Sequence, residues 1–532
     1  MSHRLAVLVA SPAHSSIRGP LSYRSELPLA PGTLVRVPLG RREVLGLVWD
    51  AAVDDDAGRL AMEDKPVAAV LEGIAPLAPT WRQLVTFSAN YYQRSLGEVA
   101  LAALPPQLRT LDAVQMARRL KRAPAAGADT PADQSKIIAL TAEQTLALAE
   151  IDQNPGPFLL FGATGSGKTE VYMQAAQAAL TQDAAAQVLV LVPEINLTPQ
   201  LEARFVARFG ADAVVSLHSG MTHPQRLKAW LAAHTGAARI VLGTRMAVFA
   251  SMPALGLIVV DEEHDPSYKQ QEGARYSARD LAVYRGHLEK VPVLLGSATP
   301  SLESWANAMG AAAKFALWEL PTRVTGVSMP EVRIVDLAAE RRAIAVKDPS
   351  QANRLHAIGP TLEKEIDATL KDGGQVILLL NRRGFAHYIA CPDPKCGWVL
   401  TCDDCDATLV LHKDRALPRG GDVACHHCLA RRIMPRACPA CGKPPIVFGI
   451  GTQRLEEELR RSLGESHGLD ETSMLRVDSD TMESARDYFD ALGRFARGEV
   501  RLLLGTQMIA KGLDFPNVRL VGVVNADTSL NL

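Results

Sequence analysis

A chain of 532 residues is long enough for roughly three to four domains. Its 47% hydrophobic content supplies full cores, and its formal charge of −1 excludes a global basic field, so any nucleic-acid surface must be local. No apolar run approaches the roughly 18 residues of a membrane span, and Leu5–Ala10 is too short for a signal-peptide core, so no membrane segment and a cytoplasmic location are expected.

Residues 1–108 alternate short apolar stretches (Thr33–Val37, Val44–Trp49) with turns at Pro31-Gly32 and Leu39-Gly40, the pattern of a small β-rich domain. Arg36, Arg41 and Arg42 group there as a solvated or phosphate-facing surface. Residues 109–139 begin with a basic piece (Arg118, Arg119, Lys121, Arg122) and continue as a flexible linker rich in Ala, Pro and Gly. Across 140–325, strands predicted at 157–161, 187–192, 213–217, 239–243, 256–260 and 292–296 alternate with helical stretches, which implies a parallel sheet covered on both faces. Residues 326–390 start a second α/β lobe, with strands expected at Gln375–Leu380, Ile446–Gly449, Met474–Val477, Val500–Leu504 and Val518–Val524. A cysteine-rich insertion over 391–445 interrupts this lobe, and 446–532 continues it, incomplete. No repeat of solenoid type is present.

The stretch Phe161–Glu170 reads F-G-A-T-G-S-G-K-T-E and fits G-x-x-x-x-G-K-[ST] between an apolar run and an Ala-rich helical one. Small residues let backbone N–H groups turn inward around phosphates, and the helix N-terminus adds its dipole. Gly162, Ala163, Thr164, Gly165, Ser166 and Gly167 form that cradle, with Lys168 for the β/γ-phosphates and Thr169 for Mg²⁺, so ATP and Mg²⁺ are the expected cofactors. Leu257–Asp265 reads L-I-V-V-D-E-E-H-D and delivers acids at the end of an apolar strand. There Asp261 suits Mg²⁺, Glu262 suits the attacking water, and His264 links the site to its neighbours. The hydroxyls of Gly296–Ser301 (G-S-A-T-P-S) can bond Asp261 or His264, and Gln144, just upstream of the P-loop, offers a donor and an acceptor to an adenine edge.

All eight cysteines lie between Cys391 and Cys441, in pairs Cys391/Cys396, Cys402/Cys405, Cys425/Cys428 and Cys438/Cys441. Such clustering favours metal over scattered disulfides. Four pairs make two closed, structural Zn²⁺ sites, with three pairings open and His412, His426 and His427 as competing ligands. Gly397 and Gly442 follow second cysteines, where a small residue allows backbone N–H groups to face sulfur. Lys413, Arg415, Arg419, Arg431, Arg432 and Arg436 make the insertion locally basic.

Longer stretches carry a resemblance: G-A-T-G-S-G-K-T-E-V-Y-M (162–173), L-V-P-E-I-N-L-T-P-Q (191–200), D-E-E-H-D-P-S-Y-K-Q-Q-E-G-A-R-Y (261–276), L-N-R-R-G-F (380–385), F-G-I-G-T-Q-R-L-E-E-E-L (448–459), R-V-D-S-D-T (476–481) and G-T-Q-M-I-A-K-G-L-D-F-P (505–516). The chain resembles superfamily 2 helicases, and within them the replication-restart primosomal helicases of the primosomal protein N′ (PriA) family, densely over 158–532 and thinly over 1–108. The resemblance implies an α/β fold with two RecA-like P-loop lobes, a zinc insertion in the second and a β-rich N-terminal DNA-binding domain. It implies an ATP-dependent 3′→5′ DNA helicase that recognises stalled or branched forks and promotes primosome assembly and replication restart. The alternative is a catalytically weak fork-binding scaffold that recruits primosome partners through the zinc insertion. Forked and single-stranded DNA, primosome proteins and single-stranded-DNA-binding protein are the implied partners.

Carried onto matching positions, Pro193, Glu194, Gly243, Thr244 and Arg245 would border one DNA strand. Tyr268, Lys269, Gln270 and Tyr276 would form an aromatic-rich loop that couples DNA contact to hydrolysis, its rings stacking bases. Gly512 and Asp514 would close on the nucleotide, and Arg382 and Arg383 would meet DNA phosphates or support the cleft. The family's zinc pairing is nested, with Cys402, Cys405, Cys425 and Cys428 at one ion and Cys391, Cys396, Cys438 and Cys441 at the other. Three departures stand out. The family's Q-x-x-G-R-A-G-R-like arginine-finger stretch is not within the 532 residues, so the chain reads as truncated and is expected to bind nucleotide but hydrolyse it poorly. A winged-helix domain is not expected between the N-terminal unit and Leu140. The family's T-F-D-Y-like stretch corresponds here to Gly19-Pro20-Leu21-Ser22-Tyr23, without its phenylalanine and aspartate.

Overall fold

A computed structural model describes residues 2–10, 19–50, 65–111, 139–151, 156–193, 199–310, 312–324, 330–347, 358–380, 388–391, 398–405, 409–413, 421–425, 430–448, 452–470, 472–478, 485–506 and 515–524, with isolated positions between them that include Cys396 and Cys428. They form two compact units, Met1–Met329 and Pro330–Leu532.

The first unit opens with six strands: β1 (His3–Val9), β2 (Leu21–Ser25), β3 (Leu34–Leu39), β4 (Arg42–Val48), β5 (Lys65–Pro66) and β6 (Ala69–Val70), in the order β5-β2-β1-β4-β3-β6. Strand alternation gives this sheet two buried faces. Leu5, Val7, Val9, Tyr23, Val35, Val37 and Val48 fill one. Leu8, Leu34, Leu45 and Leu47 fill the other, against helices α1 (Pro79–Tyr91) and α2 (Leu96–Ala102). These two helices exceed the β-rich reading of the sequence. Helix α2 lies so close to β1 that a Cβ on Gly97 would sit 2.2 Å from Val9 O, so only glycine fits. Arg36 is not on a solvated face: it is buried, and its guanidinium donates to Leu108 O at 2.7 Å and Arg109 O at 2.8 Å. Arg41 and Arg42 are exposed.

A lobe follows in the same unit: α3 (Ala142–Ile151), β7 (Phe158–Gly162), α4 (Lys168–Gln182), β8 (Gln187–Leu191), α5 (Pro199–Phe209), β9 (Val214–Leu217), α6 (His223–His234), β10 (Ile240–Gly243), β11 (Leu255–Asp261), α7 (Ala278–Glu289), β12 (Val293–Ser297), α8 (Leu302–Ala308) and β13 (Ala316–Leu320). Its seven strands are all parallel, in the order β13-β7-β12-β11-β8-β10-β9. Six lie within two residues of their predicted bounds, and β13 is an addition. Their near-continuous burial suits strands covered on both faces. The N-terminal domain is seated on this lobe. Trp81 Nε1 donates to Phe249 O at 2.7 Å, Phe87 stacks on Tyr284 with centroids 3.7 Å apart, and one apolar core runs from Leu8 and Trp81 to Phe249 and Leu281.

The second unit contains α9 (Leu337–Lys347), α10 (Pro360–Lys371), β14 (Gln375–Leu380), β15 (Tyr388–Ala390), β16 (Val410–Lys413), β17 (Gly421–Ala424), β18 (Arg431–Ile433), β19 (Ile446–Phe448), α11 (Thr452–His467), β20 (Met474–Val477), α12 (Ala485–Ala496), β21 (Leu502–Gly505) and β22 (Val518–Val524). Four strands make a parallel sheet, β20-β21-β14-β22. The expected strand at Ile446–Gly449 is not among them. β19 pairs antiparallel with β15 instead, because it closes the base of the cysteine insertion rather than extending the lobe.

The two lobes share a construction that their spelling hides. β20-β21-β14-β22 repeats β9-β10-β8-β11 in order and register: Ile240 faces Val214 and Val188, and Leu502 faces Met474 and Val376. The same irregular step recurs, at Leu255/Leu257 against β8 and between Gln375 and Val376 against β22. Gln187 Nε2 donates to Ala233 O and Ala238 O, both at 2.8 Å, and Gln375 Nε2 donates to Phe495 O and Val500 O, both at 2.7 Å. Gly236 and Gly498 turn the chain inside those latches with φ of 76° and 77°. Arg239 and Arg501 each donate to a carbonyl in the last turn of the helix before the latched strand, Leu180 O at 3.3 Å and Leu370 O at 2.6 Å.

Candidate nucleotide-binding site and cysteine centres

The C-terminal ends of the parallel strands assemble the site, as expected for an open α/β sheet. After β7 the chain turns through Gly165 (φ 83°) and Gly167 (φ 82°) into α4. A Cβ on Gly167 would lie 2.4 Å from Gln144 Nε2, so the loop is packed from behind by α3. Lys168 is buried and donates to Gly162 O at 2.8 Å. Ser166 Oγ is buried and has no hydrogen-bond partner among the described residues. A left-handed glycine loop, an unsatisfied hydroxyl and a lysine at a helix N-terminus fit a nucleotide phosphate chain. Ala163 and Thr164 follow β7 in this turn, and Thr169 is the second residue of α4.

Gln144 is committed elsewhere than the adenine-reading expectation. Its Nε2 donates to Ser166 O at 2.9 Å, and its Oε1 accepts from Thr141 N at 2.9 Å. It braces the P-loop.

Asp261 closes β11, and β12 lies between it and the P-loop strand. Tyr172, on α4, reaches across β12 and donates to Asp261 Oδ1 at 3.1 Å. Gly296 makes this possible, since a Cβ there would lie 1.6 Å from the Tyr172 oxygen. Burial, then the charge of Glu262, push the Asp261 carboxyl up to about 6, while the Lys168 charge and the Tyr172 bond pull it back. The Tyr172 bond sets the helix that opens with Lys168 beside the acidic strand end. Glu262 has φ 46°, a left-handed backbone for a non-glycine residue. His264 Nδ1 lies 2.7 Å from Ser297 Oγ and 3.6 Å from Glu262 Oε2, so the G-S-A-T-P-S turn does reach the acidic strand end.

Sequence reasoning missed Tyr172, Glu263 and Arg279. The third acid of D-E-E-H was a signal for Glu263; for the other two only tertiary contact gives one.

The strand-path residues divide. Thr244 Oγ1 is buried without a hydrogen-bond partner among the described residues, and Arg245 Nη1 donates to Ser267 O at 3.2 Å. Tyr268 is not available for stacking: it is buried, and its hydroxyl bonds Asp261 O at 2.5 Å and Leu191 O at 3.0 Å. Tyr276 packs edge-on against Phe249, and Lys269 lies exposed over the Tyr92 ring, 5.2 Å from its centroid. Pro193 ends the described part of its motif. Glu194, Arg382, Arg383, Gly512 and Asp514 lie outside the described residues.

In the insertion, sulfur atoms gather as Cys391, Cys396, Cys438 and Cys441, and as Cys402, Cys405, Cys425 and Cys428, each set within 4.8 Å. Pairwise Sγ separations of 3.2, 3.6, 3.4 and 3.4 Å are far from a disulfide and near the roughly 3.8 Å edge of a tetrahedron with 2.3 Å Zn–S bonds. All eight are free thiols, so two sets of four sulfurs could each hold zinc. The first set lies beside the β15–β19 ribbon, and the second precedes β16 and fills the turn between β17 and β18. Before Gly442 the backbone N–H groups of Ala440 and Cys441 face the Cys438 sulfur, while the Gly442 N–H itself donates to Cys438 O at 2.9 Å; Gly397 lies outside the described residues, as do His426 and His427. Of the basic residues, Arg431 pairs with Asp422 at 3.5 Å and Arg432 with Asp403 at 2.6 Å.

Comparison with known proteins gives these sites a context. The 3′DNA-binding domain (3′BD) family matches residues 6–105, DEAD/DEAH box helicase residues 141–308 and the helicase conserved C-terminal domain residues 432–532. The replication restart protein PriA of Haemophilus influenzae is 34% identical over 94% of this chain and 73% of its own length. The chain belongs to the PriA family of replication restart proteins. The Treponema pallidum PriA is 35% identical over 94% of this chain and 70% of that protein. The Bacillus subtilis PriA is 42% identical over 70% of this chain, and the match spans 43% of that protein. Two helicase lobes, a β-rich 3′ DNA-binding domain and a cysteine insertion suited to zinc are thus the family's architecture in this chain. Among the described residues no helix is long and apolar enough to cross a membrane.

Proposed function

We propose that this chain is an ATP-dependent DNA helicase that moves 3′→5′ at stalled or branched forks and promotes primosome assembly and replication restart. The observation that carries the reading is geometric: Tyr172, one turn along α4 from Lys168, reaches over β12 to Asp261 at 3.1 Å, which sets the P-loop helix beside the acids. Bound ATP supplies the phosphoryl group. Lys168 would hold the β/γ-phosphates, Thr169 and Asp261 would hold Mg²⁺, and Glu262 would take the proton of the attacking water. His264 and Ser297 would carry nucleotide state into the G-S-A-T-P-S turn. Gly512 and Asp514 would complete the site from the second lobe. Zinc in each cysteine set would be structural, since four thiolates leave no open position. Forked and single-stranded DNA, primosome proteins and single-stranded-DNA-binding protein are the partners this reading implies, in the cytoplasm.

Lys168→Ala in the full-length protein tests it. Unwinding of a forked duplex should vanish while fork binding, read by anisotropy, stays. Unwinding that survives the substitution overturns the motor; a parent protein that binds forks but never unwinds them leaves only the scaffold.

A further inference from the structure

Glu263 follows Glu262, and its side chain has no solvent exposure. Its backbone N–H donates to Gly296 O at 3.0 Å. Its carboxylate accepts from Ser301 N at 2.6 Å, Ser301 Oγ at 3.0 Å and Ser304 Oγ at 2.7 Å. One residue therefore grips both ends of the G-S-A-T-P-S turn, while Ser297, between those ends, touches His264. The balancing cation is Arg279, whose Nη1 lies 3.3 Å from Glu263 Oε2 and 2.7 Å from Ser301 Oγ.

Arg279 belongs to the first turn of α7. The Ser277 side chain caps that turn, and Ser277 N donates to the Tyr92 hydroxyl of the N-terminal domain at 3.0 Å. Farther along α7, Tyr284 stacks on Phe87. The helix that neutralises Glu263 is thus the helix on which the DNA-binding domain rests.

A wholly buried carboxylate such as Glu263, held against an arginine that is itself partly exposed, is a poor way to fill a core, since apolar side chains of similar volume often serve stability as well or better. A left-handed, non-glycine backbone such as that of Glu262 persists only where its surroundings over-determine it. The grip of Glu263 supplies that constraint on one side, and Tyr268 on the Asp261 carbonyl supplies it on the other.

We propose that Glu263 and Arg279 are a positioning pair: they fix Glu262 and the G-S-A-T-P-S turn as one body and tie that body to α7 and the DNA-binding domain. This rests on the reading of Asp261 and Glu262 as the hydrolytic acids. The pair acts on turnover rather than on nucleotide affinity, because none of its contacts is to the P-loop.

The test uses the full-length protein with Glu263→Gln, Arg279→Gln and Arg279→Lys. Glu263→Gln should bind a fluorescent ATP analogue within about twofold of the parent and keep its KM, while DNA-stimulated kcat falls by 10- to 100-fold, on the order expected for a misplaced reacting group. Arg279→Lys should restore most of the turnover that Arg279→Gln loses. Amide exchange at Ser301 should accelerate in Glu263→Gln, a readout that needs no turnover. Parental kcat in Glu263→Gln, or loss of thermal stability and nucleotide binding in step with kcat in all three variants, overturns the proposal. A parent without ATPase but with a protected Ser301 amide defeats the hydrolytic reading and leaves the grip standing; an unprotected Ser301 amide defeats the grip itself.

Discussion

The two lobes are built on one plan and equipped for different work. Each has a buried glutamine at the start of its central strand, latched onto two carbonyls around a left-handed glycine, and an arginine on the preceding helix end. Register equates Val260 with Val523, since each faces the fifth residue of its central strand, Leu191 or Leu379. The next residue is Asp261 in the first lobe and Val524, buried and apolar, in the second. The scaffold is therefore indifferent to chemistry, which lies in a few side chains at strand ends. What the second lobe adds is the cysteine insertion.

That comparison can be strained at several points. The largest effect should come from the insertion. Metal at a four-thiolate site contributes about 10 kcal/mol or more to local folding. Cys402→Ser or a strong chelator should expose residues 388–448 to limited proteolysis, while nucleotide affinity at the P-loop stays within about twofold, by fluorescence titration. Loss of nucleotide binding on chelation would deny that the two are separate.

Next comes the strand-end pair. Asp261→Asn should lower ATP turnover by about 100- to 1,000-fold, the scale of lost electrostatic stabilisation. Val524→Ala, at the matching place, should cost about 1–2 kcal/mol of stability and leave nucleotide affinity alone. Steady-state kinetics and urea titration check both.

The latches should be equal. Gln187→Leu and Gln375→Leu each take a donor from two buried carbonyls, of which Ala233 O and Phe495 O keep a bond from the Gly236 and Gly498 N–H, for about 1–3 kcal/mol in the lobe concerned. Two separately resolved unfolding transitions, each moved by only one variant, would show the equivalence; a silent Gln375→Leu would break it.

The smallest expected effect is one of pH. The Asp261 carboxyl, held at about 6 in the folded chain, lies above its unfolded range. Its neutral form therefore favours folding below about pH 4, and that contribution fades as pH rises through 6. Without nucleotide or Mg²⁺, Asp261→Asn should stabilise the first unit by about 2 kcal/mol or less at pH 8 and leave it unchanged at pH 4. Calorimetry at the two pH values measures it.

Much of this was legible in the sequence. The P-loop, the D-E-E-H acids and the cysteine pairs are contiguous motifs whose chemistry follows from spacing. Six of the seven first-lobe strands were readable because buried parallel strands are unbroken apolar runs. The rest depends on tertiary contacts. Gln187 looks like a polar residue opening a strand until the carbonyls 46 and 51 positions away arrive. Ile446–Phe448 has strand composition, and nothing local says that its neighbour is Tyr388–Ala390. Tyr268 reads as a surface aromatic, but its hydroxyl holds the backbone of the acidic strand. Arg36 reads as a basic face and is an internal strut.

The apolar core shared by the N-terminal domain and the first lobe bears on how the protein can be divided. A fragment starting at Leu140 would bare the side of α7 and the 245–249 turn that Trp81 and Phe87 now cover, and should be sticky and poorly soluble. A single cut between residues 120 and 138 would instead leave two polypeptides that travel together through a sizing column, since the core that joins them, Met116 included, is made of residues outside that stretch.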